Sequence, residues 1–411
     1  MGASSRSLKG LDWSNLFMAD VKDGVGVYLS VYLLTVRHWQ PDQIGYVIAV
    51  PGLVGILIQP LAGALIDKTT YKRFLLMLAS GVIALCCLVI ILMEGFYPTF
   101  ISQAVVGLVQ SVYTPGVAAI TLGMVGQAAL SKRIGRNETF NHVGNMAAAI
   151  IAGLMGRFIS YEAIFYFSIF QCFALIVAVL FIKEQDIDHN LARAASATES
   201  TDNKATGLKQ LFSSRKIIVF IIAMGLFHLA NAALLPLVGQ KMGLVDQKNS
   251  SLYLSAAIII AQGVMAFVAS YSGKAADKGR KAVMIIAFIL LPVRALLFAF
   301  IDNPYLLTAA QILDGVGAGI FGVISIIMIA DLSEGSGRFN LLQGVVYSAI
   351  GLACSISSIL SGIIVKNFGY AVGFVALAAV AVLGALFFQF VVPETKGINA
   401  GEAPDQAVKN A

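Results

Sequence analysis

The residues of this chain with chemistry to offer are few, and they stand where a chain ordinarily avoids polarity. Asp20 and Asp23 fall in one long apolar run, His228 and Asn231 in another, Arg294 in a third and Asp314 in a fourth. A spacing of three puts two side chains on one helical face, so each pair can act as a unit. A carboxylate that alternates between wet and dry surroundings changes its proton affinity, and an imidazole titrates near neutrality. Arginine stays charged and holds an anion or a carboxylate. The set therefore offers proton transfer and the holding of a polar solute. Plainer readings stand beside this one. They make Asp20 and Asp23 hydrated groups at a membrane mouth, His228 a partner of a neighbouring carbonyl, Asn231 packing glue, and Arg294 with Asp314 a structural pair.

The elements that must position these residues follow from composition. Hydrophobic residues make up 58% of the 411 residues and charged residues 12%, about half the ~25% charged content of a soluble domain. Crossing the hydrocarbon takes about 20 apolar residues. Twelve such runs can be drawn, near 14–36, 43–65, 74–93, 99–125, 140–159, 163–182, 216–238, 252–272, 282–301, 305–330, 339–365 and 369–392. An all-α polytopic membrane protein is expected. An aspartate at the centre of such a span costs ~2.5–3.5 kcal/mol on insertion scales, so the polar residues above should face an enclosed cavity and have partners.

The net charge of +6 is a topology signal. Of the 28 Lys and Arg, only Arg37, Arg157, Lys241, Lys248 and Lys366 fall in the outer loops. Lys22 and Arg294 fall inside spans, which leaves 21 on the side of the termini. Positive charge stays inside, so both termini are expected in the cytoplasm and no nucleic-acid partner is expected. The four cysteines lie within spans and read as packing residues. No cleaved leader is expected, because Asp12 to Asp23 interrupt any short apolar segment after Arg6 and Lys9. Residues 183–215 are polar, without apolar periodicity, and read as a linker with a short amphipathic helix near Leu208–Phe212. The expected division is a six-helix bundle over 1–182, the linker over 183–215, a second bundle over 216–392 and a tail over 393–411.

The two halves repeat one another. Gly63-Ala-Leu-Ile-Asp67-Lys68 ends one apolar run and Gly273-Lys-Ala-Ala-Asp277-Lys278-Gly279-Arg280-Lys281 ends its counterpart. Gln103-Ala-Val-Val-Gly107 matches Gln311-Ile-Leu-Asp314-Gly315, Phe140-Asn141 matches Phe339-Asn340, and Glu184 and Glu394 each follow a half's last span. At these residues the chain resembles the major facilitator superfamily over nearly its whole length. The family's turn reads Gly-x-x-x-Asp-Arg/Lys-x-Gly-Arg-Arg/Lys. The first copy departs from it at Thr70 and Tyr71, and the second is one residue short before its glycine. Pro393-Glu394-Thr395-Lys396-Gly397 is similar to the family's closing signature. The resemblance implies two six-helix bundles that rock about a central site, with Gly63, Asp67, Lys68, Gly273, Asp277, Lys278 and Arg280 as the gate. Asp67 and Asp277 are expected to cap helix ends and engage basic residues across the halves.

Drug–proton antiporters of that superfamily carry Arg-x-x-Gln-Gly in the fourth span, where this chain has Gln103 and Val106. Their fifth-span Gly-Pro is also missing, since Arg157 follows Gly156. The drug-antiporter branch is therefore weakly supported. The expected activity is secondary transport of a small organic solute across a bacterial inner membrane, coupled to protons. Export is slightly favoured over uptake of a metabolite or metal–siderophore chelate, with facilitative uniport by the same fold as a further alternative. Asp20, Asp23, His228 and Asp314 are the coupling candidates. Asn231, Arg294, Gln103, Gln311, Tyr28 and Tyr113 are the cavity candidates, with Asp20 and Asp23 expected to face His228 and Asn231. The expected partners are a solute, protons and the bilayer, and the expected state is a monomer. No Cys/His metal spacing, phosphate loop or nucleophile elbow is present, so no metal, cofactor or enzymatic activity is expected.

Overall fold

The computed structural model describes residues 3–23, 25–192, 214–333 and 339–397, the side chains of Lys22, Asp23, Val25, Gln127, Ser131 and Asn340 excepted. The proposed amphipathic helix near residues 208–212 lies outside the described residues, as does most of the proposed tail. Among the described residues every regular element is helical. Among the described residues, nine helices are long and apolar enough to cross a membrane. One of them, Leu341–Val391, bends at Gly369 into two helices.

Span one comprises Ser5–Asp23 and Val25–Thr35, span two Pro41–Lys68 and span three Lys72–Leu92. Spans four and five lie in Phe96–Gln110 and Tyr113–Phe158, divided at Gly126. Span six is Tyr161–Phe181, span seven Arg215–Asn231 with Leu234–Val245, span eight Ser250–Ala276 and span nine Arg280–Phe300. Span ten is Pro304–Ala309 with Gln311–Ser333, and spans eleven and twelve lie either side of Gly369. This is a twelve-helix membrane fold in two six-helix bundles. Gly126 (φ 68°) and Gly369 (φ 83°) adopt left-handed backbone that side chains disfavour, so the chain reverses there without a loop.

The repeat read from the sequence recurs in the packing. A Cβ on Gly107 would lie 2.5 Å from the Pro51 carbonyl oxygen, and one on Gly315 2.7 Å from that of Ala261. Matched glycines thus let span four lie against span two and span ten against span eight. Each bundle has its own core. Phe220, Phe288, Phe298, Phe374 and Phe388 are buried in the second, and Leu11, Leu76, Tyr113, Cys172 and Val179 in the first. Large apolar side chains such as Phe170, Phe300 and Phe390 point outward, as lipid as solvent permits.

Candidate functional site

The second bundle encloses a charged cluster. Arg294 of span nine is only 3% exposed, and its Nη1 pairs with an Asp314 carboxylate oxygen on span ten. Its Nη2 donates to Asn231 Oδ1 on span seven at 2.6 Å. The guanidinium carbon lies 5.7 Å from the Phe298 ring centre, while Nε is buried with no hydrogen-bond partner among the described residues. Asp314 is less enclosed, at 23% side-chain exposure. Arginine so far from water must be compensated. Three spans supply that compensation, so a change at one of them strains the other two.

One turn from Asn231, His228 Nδ1 lies 3.2 Å from the Met224 carbonyl oxygen, and the ring sits edge-on to Phe321 at 4.7 Å. One turn before Asp314, Gln311 is fully buried, with neither amide atom hydrogen-bonded among the described residues. Spans seven and ten are interrupted at Ala232–Ala233 and Ala310, beside Asn231 and Gln311.

The halves meet along a seam at the end of the molecule away from the termini. Tyr28 Oη lies 2.7 Å from Ser255 Oγ, Ser251 donates to the Gly153 carbonyl at 3.0 Å, and Tyr161 bonds Ser250. Arg157 Nε donates to Asn249 at 2.6 Å, Gln247 to the Thr35 carbonyl at 3.1 Å, and Lys366 pairs with Asp42 at 2.7 Å. On spans two and eleven, a Cβ on Gly52 would stand 2.7 Å from Ser355 Oγ, and one on Gly351 3.2 Å from Ile56. Further along the same stripes, Cβ positions on Gly63 and Gly344 meet nothing within 4 Å among the described residues. Among the described residues the seam is shut at the end away from the termini and parts towards them.

At the opposite end each half closes a turn with the glutamate after its last span. Glu394 accepts from the Arg280 and Lys281 backbone N–H at 3.0 and 3.1 Å, capping span nine. Arg280 also reaches Asp331 at 3.1 Å and Lys396 reaches the Asp277 carbonyl. In the first half, Glu184 instead pairs with the side chains of Arg73, at 3.1 Å, and His189, at 3.0 Å.

Comparison with known proteins agrees with this geometry. The sequence profile of the Major Facilitator Superfamily matches residues 13–278 and 264–409. An uncharacterized MFS-type transporter of Mycobacterium tuberculosis is 38% identical over 392 residues, 95% of this chain and 94% of that protein. The chain belongs to the major facilitator superfamily. Multidrug resistance protein 1 of Bacillus subtilis is 22% identical over 213 residues, 51% of this chain and 52% of that protein. Among solved structures, the nucleoside transporter NupG superposes with a TM-score of 0.77 at 16% identity, covering 94% of this chain and 98% of that one. That likeness concerns the fold. A secondary transporter is the activity that family membership supports.

Within this major facilitator chain, the structure brings Asn231, Arg294 and Asp314 together, with the candidates His228 and Gln311 one turn away on spans seven and ten. Asp20 is 7% exposed and within electrostatic reach of Tyr28, Cys87 and Cys172, all in its own half. The Asp23 side chain lies outside the described residues. Tyr28 belongs to the seam. Tyr113 is fully buried with its hydroxyl 3.0 Å from Ser80 Oγ, and Gln103 is 9% exposed. Of the gate set, Asp67 and Lys68 close span two, and Asp277, Lys278 and Arg280 form the turn held by Glu394. Gly273 is loosely packed, with Val323 3.9 Å from a built Cβ.

Two features escaped the sequence reading. Asp12, 4% exposed, accepts from Arg133 at 2.7 Å and from Arg136, also at 2.7 Å, while Arg133 Nε donates to Asn137 at 2.9 Å. This strut ties span one to the first turns of span five after Gly126. Its charges lie on opposite sides of about 120 residues of chain, which no local pattern joins. The seam was the other, although Ser251 and Ser255 across from Gly153 and Gly156 carry the small-residue spacing typical of close helix contacts.

Proposed function

We propose that this chain moves a small organic solute by alternating access in a bacterial inner membrane, coupled to protons, with Asp314 as the coupling carboxylate. The observation that carries this reading is the Arg294–Asp314–Asn231 cluster, an ion pair held by three spans within one bundle. Protonation of Asp314 removes the charge that compensates Arg294, and buried arginine cannot lose its own proton. The cluster must then rearrange or admit another anion, which links proton occupancy to the shape of spans seven, nine and ten. His228, Asp20 and Asp23 serve as secondary proton groups. Asn231, Gln311 and Gln103 offer amide contacts to a solute that enters between the halves.

The excess of Lys and Arg on the side of the termini supports a cytoplasmic position for both of them. The parted end of the seam then faces the cytoplasm, and the gate turns built on Asp67 and Asp277 close it in the opposite state. The partial likeness to the Bacillus multidrug protein supports export over uptake.

The test takes purified protein in liposomes, with a solute chosen by a thermal-shift screen of metabolites, drugs and chelates. Wild-type protein should accumulate the solute against its gradient when a pH gradient is imposed and stop when a protonophore is added. Asp314→Asn should lose accumulation and keep exchange. Protonophore-insensitive flux in the wild type would replace coupling with uniport, and full accumulation by Asp314→Asn would return the role to the span-one carboxylates.

A further inference from the structure

A groove of about 790 Å³ runs between spans one and six of the first half, with no residue of the second half in its wall. One wall is a helical stripe of span one, Arg6, Lys9, Trp13 and Phe17. The other is a stripe of span six, Phe170, Phe173, Val177 and Phe181. The helices touch beside it, where a Cβ on Gly10 would lie 3.0 Å from the Ala178 carbonyl oxygen. The rest of each stripe faces outward. Trp13 is 51% exposed, Phe170 61% and Phe173 57%.

The two ends of the groove differ in charge. Arg6 and Lys9 stand at the end nearest the chain terminus, and neither takes part in an ion pair among the described residues. The Arg6 guanidinium lies 5.2 Å from the Phe181 ring centre, which aims it over the mouth of the groove. Below this pair the walls are aromatic and aliphatic. At a rise of 1.5 Å per residue, Arg6 to Phe17 spans about 16 Å, and Phe181 to Phe170 spans the same. Half of a ~30 Å hydrocarbon core is about 15 Å. The groove is therefore one leaflet deep, with two cations at headgroup level.

We propose that this groove binds one anionic phospholipid of the leaflet on the side of the termini. Its phosphate rests between Arg6 and Lys9 and its acyl chains lie along Trp13, Phe17, Phe170 and Phe173. Charge complementarity selects an anionic headgroup, because juxtamembrane Lys and Arg attract an anionic membrane surface. Apolar walls select a molecule with chains over a free phosphate. The bound lipid would brace span one against span six, next to the Asp186 contacts of Ser4 and Ser7 that already hold the amino-terminal turn. The site is separate from the inter-half pathway, so its fate does not depend on which solute is carried.

Trp13 is a built-in probe, since the chain has two tryptophans and Trp39→Phe leaves it alone. Full-length Trp39→Phe protein in mixed micelles should be quenched more strongly by brominated phosphatidylglycerol than by brominated phosphatidylcholine, by at least about twofold at equal mole fraction, the electrostatic preference of two basic residues. Arg6→Gln with Lys9→Gln should abolish that difference while leaving melting in phosphatidylcholine unchanged. Val177→Trp, read by native mass spectrometry as retained phosphatidylglycerol, should lower occupancy by filling the groove with both cations in place. Excess glycerol 3-phosphate should not displace the lipid. Equal quenching by the two lipids, a persisting preference in the double variant, or displacement by glycerol 3-phosphate would each overturn the proposal.

Discussion

Superposing Gln103 and Gly107 on Gln311 and Gly315 sets Asp314 opposite Val106, and setting Lys72 opposite Arg280 puts Arg294 opposite Cys86. The two bundles thus share a backbone plan and differ in where they hold charge. The second holds a cation and an anion within the membrane, at the crossing of spans seven, nine and ten. In the first, Asp12 pairs with Arg133 and Arg136 at the end near the termini. The matched turns differ likewise. Glu394 caps a helix through backbone amides, whereas Glu184 pairs with exposed side chains. Duplicated helices preserve packing because glycine contacts such as Gly107 and Gly315 tolerate no side chain. Charge is freer to diverge, and here one half became the ionic site and the other a braced frame.

The largest effect expected from this asymmetry is at Asp314. Asp314→Leu leaves Arg294 buried without its counter-ion and should destabilise the protein by about 3–5 kcal/mol. Asp314→Leu combined with Arg294→Met, which makes the second half as apolar here as the first, should restore most of that. Thermal unfolding of the single and double variants in detergent reads the difference. Equal loss in both would mean that packing, and not charge, makes the second half distinct.

A smaller effect belongs to the seam. Gly52→Val pushes a side chain into Ser355, and overpacking of this kind costs about 1–3 kcal/mol. The population should shift away from the state in which the seam is shut at the end away from the termini. Spin labels at Gln43 and Asn367 should report a longer distance in that variant, while Gly63→Val, on the parted stretch of the same helix, should leave it unchanged.

The smallest effect separates the two turns. Burial alone would raise the Glu394 carboxyl, but the backbone N–H groups of Lys396, Lys281, Arg280 and Thr395 outweigh it and hold it below the usual glutamate range. A lowered folded-state pKa contributes stability that is complete above the unfolded value and is lost as pH falls through the lowered one. Amide exchange at Arg280 and Lys281 should therefore stay slow below the ordinary glutamate range and quicken only in more acid solution. Glu394→Gln should remove the pH dependence and weaken the cap by about 1 kcal/mol. Glu184→Gln should cost less, because an exposed pair contributes about 0–1 kcal/mol.

Local pattern was enough for the spans, the repeat and the polar residues worth examining, since apolar run length and glycine positions are visible in any stretch of about 20 residues. Arg294 and Asp314 could be suspected of pairing because each needs a partner in lipid. Asn231 could not be assigned to them, and neither could Asp12 to Arg133, because no local rule says which helix faces are neighbours. The expectation that span one would meet span seven at Asp20, Asp23, His228 and Asn231 came from repeat symmetry. Symmetry relates equivalent positions and does not say that they touch. In the structure His228 and Asn231 engage groups of their own bundle.

By itself, then, the order of residues determined that this chain is a duplicated bundle of membrane helices, because burial in lipid acts on each segment separately and leaves its mark on composition. Only the tertiary structure decided which polar residues came together, which end of the seam is shut and where a groove opens between spans one and six. Those outcomes depend on how helices distant in sequence rotate and lean against one another, and a glycine or a serine records that contact only when its neighbour is known.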